Sequence, residues 1–105
     1  QQFIYPVSEP IPVPPYVTEI RTEPESPRLR VGQTIPIRTF AVYSDGTTQY
    51  SGAERLQTAD TRIATADEFS EPQTLTGRRQ GTTELLVEWQ GFQKHVPVSV
   101  RKRWW

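Results

Sequence analysis

From Val17 onward, apolar side chains recur at every second position, in short runs that end at Gly, Pro or Asp-Gly. A period of two sends successive side chains to opposite faces of an extended chain, so each run reads as a half-buried strand. Residues 34–43 are expected to form one long strand, with Ile35, Ile37, Thr39, Ala41 and Tyr43 on one face and Pro36 and Arg38 on the other. Residues 82–89 put Thr83, Leu85, Val87 and Trp89 together. Residues 92–100 put Val96, Val98 and Val100 on one face and His95, Pro97 and Ser99 on the other. Proline has no N–H to give a ladder, so Pro97 marks this last run as an edge or outer strand. Shorter runs lie at 17–22, 29–31, 47–50, 56–58, 62–66 and 73–76. Asp45-Gly46 supplies the positive φ angles of a tight hairpin turn, and Gln90-Gly91 makes a second tight connection.

No stretch has a helical period; residues 54–59 have room for one helical turn and no more. About seven short strands with Gly and Pro punctuation indicate an all-β antiparallel sandwich, because the helices needed to cross between parallel strands are missing. The expected core is Ile20, Leu29, Val31, Ile35, Ile37, Ala41, Ile63, Leu75, Leu85, Val87, Trp89, Val96, Val98 and Val100. A chain of 105 residues is sized for one such unit.

Residues 1–16 differ from the rest. They hold Pro6, Pro10, Pro12, Pro14 and Pro15, half of the chain's 10 prolines. Fixed φ angles and missing donors forbid a helix or a central strand there, so the arm is expected to be extended, near polyproline II. Its bland role is a stiff linker. Yet Phe3, Ile4, Tyr5, Val7, Ile11, Val13 and Tyr16 are more apolar surface than a spacer needs, and they are candidates for docking on the domain or on a neighbour. Residues 102–105 form a basic-aromatic tail ending in Trp104-Trp105, whose indoles also call for a partner. The sandwich is placed at 17–101. The chain has no Met and starts Gln1-Gln2-Phe3, which suits a processed mature end or an excised domain.

Charge and composition narrow the function. Twelve basic residues balance 12 acidic ones, which argues against a nucleic-acid partner. The chain has 0 Cys and 1 His, so disulfides, cysteine-ligated metals and multi-His sites are excluded; no cofactor is expected. No apolar run is long enough for a transmembrane helix. His95 reads as an ordinary surface histidine. Asp60, Asp67, Glu68 and Glu71 gather around one loop region, but without the alternating acidic spacing of a calcium loop, and they read as solvated. Ser44 and Ser51 sit in turns, not at the strand-to-helix junction of a nucleophile elbow. Arg78-Arg79 is expected to cap an exposed turn. No enzyme is expected.

The residues resemble a known family, the bacterial immunoglobulin-like domain, group 2. The resemblance rests on Ile20 to Pro24 and Leu29-Arg30-Val31-Gly32-Gln33-Thr34, on Ala41-Val42-Tyr43-Ser44-Asp45-Gly46-Thr47, on Thr58-Ala59-Asp60-Thr61-Arg62-Ile63-Ala64-Thr65, and on Gly81-Thr82-Thr83-Glu84-Leu85-Leu86-Val87, in that order. Leu56 stands near the family's usual Trp, and 67–72 is charged where the family has a Gly. Residues 75–87 are also similar to an N-terminal domain of pilus-assembly secretins. The first resemblance implies an immunoglobulin-like β-sandwich without catalytic residues. It implies a structural or assembly module of a bacterial cell-surface or phage-virion assembly, with protein partners that include copies of itself. Its location would be extracellular, at the cell surface or in a virion, with the periplasm as an option. The alternatives are an adhesin or carbohydrate-binding module using Tyr16, Tyr50, Phe69 and Phe92 as exposed loop aromatics on surface glycans, and a periplasmic domain of a pilus or secretion apparatus.

Overall fold

The computed structural model describes residues 13–102. Ten strands carry them: β1 (Val17–Glu23), β2 (Arg28–Arg30), β3 (Thr34–Pro36), β4 (Arg38–Tyr43), β5 (Thr48–Tyr50), β6 (Arg55–Thr58), β7 (Ala64–Asp67), β8 (Thr74–Gly77), β9 (Gly81–Trp89) and β10 (Phe92–Arg101). They make a sheet β2-β10-β9-β6 and two smaller sheets, β1-β4-β5 and β3-β8-β7. The two smaller sheets share the run β3–β4 and together face the larger one.

The strand count exceeds the expected seven, and one of the extra strands arises because a run that alternates continuously changes sheets partway. Residues 34–43 are not one strand. Pro36 ends β3 against Thr74 of β8, and β4 then pairs with β1 and β5. Ile37 sits at the switch, fully buried, with its N–H donating to the Gln73 carbonyl at 2.8 Å. Alternation survives the switch, since Ile37, Thr39 and Ala41 all point inward. Residues 54–59 hold strand β6 and no helical turn, because Arg55 to Thr58 pair with β9 and extended backbone wins over local preference.

One pairing is parallel: β2 lies along residues 99–101 of β10. The chain runs up β1, crosses at 24–27 and continues in the same direction as β2, so no helical crossover is needed. The same pairing corrects the reading of Pro97. β10 is an interior strand, between β9 and β2. Ser99 N–H donates to Pro27 at 3.0 Å. The ring nitrogen of Pro97, two residues earlier, faces the same side just short of where β2 begins, so no ladder bond is lost there.

The core forms between the inner faces. Ile20, Leu29, Ile37, Leu75, Leu85, Val87, Val96, Val98 and Val100 are buried, joined by Leu56 and Ala64. Ala41 is buried as well. Val31, Ile35, Ile63 and Trp89 reach only half-burial, packed against this cluster. Leu75 lies on β8, where Gly77 permits close approach to the layer opposite. A Cβ at Gly77 would lie 2.6 Å from the Arg30 carbonyl oxygen and 3.1 Å from Val100. In the β4–β5 hairpin only Gly46 takes positive φ (87°), and Asp45 instead accepts from Thr47 N–H and Oγ1 at 3.0 and 2.6 Å. The β9–β10 turn does use two such residues, Gln90 (48°) and Gly91 (81°).

Candidate interaction surface

The direction of the strands places the two ends of the domain far apart. The chain enters beside the β4–β5 hairpin. Tyr16 N–H donates to Ser44 Oγ at 3.1 Å, and Ser44 N–H returns a bond to the Tyr16 carbonyl at 2.7 Å. Thr18 Oγ1 adds a bond to the Val42 carbonyl at 3.2 Å. The β9–β10 turn lies at this same pole: Lys94 Nζ approaches the Ile20 carbonyl at 3.5 Å, and Thr18, Glu19, Ile20, Phe92, Gln93 and Lys94 line one shallow surface depression. From there β10 climbs ten residues to Arg101, about 30 Å at some 3.3 Å per residue. At the far pole Val31 N–H donates to the Arg101 carbonyl at 2.9 Å and Arg30 Nη1 to the Lys102 carbonyl at 3.1 Å. Both connections are thus held by hydrogen bonds at their roots, at opposite poles.

Of the candidate contact residues, Val13 (75% exposed) and Tyr16 (60%) stand at the entry pole, uncovered by the domain. Phe3, Ile4, Tyr5, Val7 and Ile11 of the arm, and Trp104 and Trp105 of the tail, lie outside the described residues. Of the remaining aromatic candidates, Phe69 is almost wholly exposed (91%). Tyr50 (45% exposed) lies in strand β5 rather than in a loop and meets Phe40 edge-on, with ring centroids 5.7 Å apart. Phe92 is no loop aromatic: it opens β10 and packs half-buried against the core.

Several of the polar side chains singled out from the sequence bond within the domain. Beside β6 and β7 runs an open groove of about 460 Å³, lined by Leu56, Thr58, Ala66, Asp67, Glu68 and Phe69 among others. Glu68 Oε2 accepts the Leu56 N–H at 3.0 Å. Asp67 Oδ1 accepts from Phe69 and Ser70 N–H at 3.0 and 3.2 Å. Thr58 Oγ1 donates to the Ala64 carbonyl at 2.6 Å. The Leu56 N–H and the Ala64 carbonyl belong to the edge strands β6 and β7, where they would otherwise be open to pairing. Asp60 binds Arg62 through both carboxylate oxygens at 3.1 Å, which lowers its pKa below the usual carboxylate value and raises that of Arg62. Glu71 lies 3.4 Å from the Tyr50 hydroxyl. His95 meets Glu84 across the strands at 3.6 Å, both well exposed. Among the described residues no group of three potential metal ligands converges, and no helix is long and apolar enough to cross a membrane.

Sequence reasoning passed over Gln73. It is only 6% exposed, and its amide accepts from Ala53 N–H and donates to the Ala53 and Glu68 carbonyls, each at 2.9 Å. The signal was present: Gln73 is in phase with the inward positions Leu75 and Gly77, where a polar side chain must find partners.

No protein-family model matches the chain, and no curated protein matches it. Solved structures do. Domains 4 and 5 of the S-layer protein SbsC superpose with a TM-score of 0.66 at 18% identity, covering 83% of this chain and 53% of that one. A structure of domains 4–9 of the surface layer protein SbsC gives a TM-score of 0.68 at 18% identity, covering 85% of this chain and 15% of that one. The fold is an immunoglobulin-like β-sandwich. The chain spans about half the length of the first of these structures. At this identity the likeness concerns the fold.

Proposed function

We propose that this chain is a non-catalytic structural module of a bacterial cell-surface array, linked in series to its neighbours through its two poles. The observation that carries this is the placement of the two chain connections about 30 Å apart, at opposite ends of one sandwich. Such a unit transmits position and load along its long axis, whereas neighbouring termini would make a side branch. The S-layer domains that share its fold support a surface location, and the ordered motif pieces support membership of the group 2 bacterial immunoglobulin-like domains. The arm residues Phe3, Ile4, Tyr5, Val7, Ile11, Val13 and Tyr16 and the Trp104-Trp105 pair would serve as contacts between successive modules.

Exposed Phe69, beside a groove that also presents Gln57 and Thr61, is the observation favouring a second reading, a carbohydrate-binding module. Antibody labelling of intact cells that produce the protein tests the first reading. Label on the outer surface, in a layer removed by mild denaturant, is expected. Label seen only after permeabilisation would refute it.

A further inference from the structure

The balanced charge of the chain hides a segregation that only the fold displays. Arg30, Arg78, Arg79, Arg101 and Lys102 are distant in sequence, yet all are exposed at the far pole. Gly32 and Gly77 bond each other there, Arg78 and Arg79 N–H both donate to the Ile63 carbonyl, and Arg101 receives Val31 N–H. The carboxylate among them is Asp60, and Arg62 already holds it. None of the five other cations lies within ion-pair distance of a carboxylate among the described residues. The entry pole presents carboxylates. Glu19, Asp45 and Glu54 are exposed there: Glu19 lies beside the β9–β10 turn, Asp45 is in the β4–β5 hairpin, and Glu54 accepts the Gln90 N–H. Glu19 has the exposed Arg21 guanidinium at 4.0 Å, and the amine of Lys94 is turned to the Ile20 carbonyl at 3.5 Å, so Asp45 and Glu54 are the carboxylates there with no cation in ion-pair distance among the described residues.

We infer that the cationic far pole docks on the acidic entry pole of a second copy, head to tail, with the arginines as the salt-sensitive half of the contact. This rests on the assembly reading above and names its surfaces. Like poles repel, so the charge pattern disfavours a two-fold dimer and specifies polarity. A contact between two different patches does not close on itself, and repeats into a line along the long axis of the sandwich. Arginine suits the role because its planar fork binds carboxylates in pairs and loses little hydration in doing so.

Sedimentation velocity on the full chain reads this directly. In buffer of about 10 mM ionic strength, oligomers that lengthen with concentration are expected; at about 1 M, where charges are screened within about 3 Å, monomer is expected. Arg78→Glu/Arg79→Glu should lower association at low salt about tenfold or more, and so should Glu19→Lys/Glu54→Lys at the other pole. Mixed together, the two variants regain complementary poles and should associate again. Circular dichroism and melting of each variant, matching the parent, exclude misfolding. A monomer at low salt, or association that either variant leaves unchanged, would overturn the inference. So would a parent chain that stays monomeric while its arginines retain it on a sulfated polyanion column. Loss of head-to-tail docking would leave the surface-labelling result intact, so the two readings fail separately.

Discussion

Replacing Gln73 by Ala removes an amide that ties residue 53 and residue 68 to the start of β8. Three hydrogen bonds of 2.9 Å are lost together. Each is worth about 1 kcal/mol net, and a backbone group left buried and unpaired costs more. Ala53 and Glu68 are half-buried, so water can reach part of the exposed backbone, which holds the loss to about 2–4 kcal/mol. For a domain of this size, 3 kcal/mol lowers Tm by about 12–24 °C. Urea unfolding followed by circular dichroism reads the free energy, and hydrogen exchange at the Ala53 amide reads where it was lost. Gln73→Glu is a sharper probe. It keeps the acceptor for Ala53 N–H but sets a carboxylate oxygen against two carbonyls, so at neutral pH it should destabilise at least as much as Ala. A loss below about 1 kcal/mol in both variants, or unchanged protection at Ala53, would show that the amide is not the tie the geometry indicates.

Other positions give further tests. Gly77→Ala must displace the Arg30 carbonyl, which a Cβ would approach to 2.6 Å, so unfolding in urea should show a loss of about 1–3 kcal/mol or more. Thr39 Oγ1 is buried without a hydrogen-bond partner among the described residues, and Thr39→Val should therefore raise stability by about 1 kcal/mol in the same assay. Asp45 and Asp60 have pKa values lowered, by the Thr47 hydroxyl and the Arg62 guanidinium respectively, from the ordinary 3.8. A depressed carboxylate stabilises the fold above its unfolded pKa and loses that contribution as pH falls through the folded value. Melting curves should accordingly show the contribution of these two groups constant above about pH 5 and lost on the acid side of 3.8, and Asp60→Asn should flatten the acid limb.

What could be read from the sequence was what depends on near neighbours. Alternation in 82–89 and 92–100 identified Leu85, Val87, Val96, Val98 and Val100 as the inner face, because a period of two is a property of each strand alone. The change of sheet at Ile37 was invisible, since crossing from one partner to another leaves the alternation unbroken. Leu56 was missed as core because Arg55 and Gln57 flank it in a run too short to show a pattern. The parallel seat of β2 and the hydrogen-bonded role of Gln73 depend on residues far away in the chain. The candidate surface was legible only at its edges. Val13 and Tyr16 could be singled out as apolar groups in want of cover, whereas the cationic pole joins Arg30, Arg78, Arg79 and Arg101, which no local pattern connects.

The chain enters and leaves the sandwich at opposite poles. The parent chain has 0 Cys, so spin labels on Tyr16→Cys and Arg101→Cys would be the molecule's sole thiol adducts. Double electron–electron resonance should report a single narrow distance of about 30 Å or more, the length of a ten-residue strand. A distance below about 20 Å would put both ends on one side of the sandwich and contradict a module built to be linked in series.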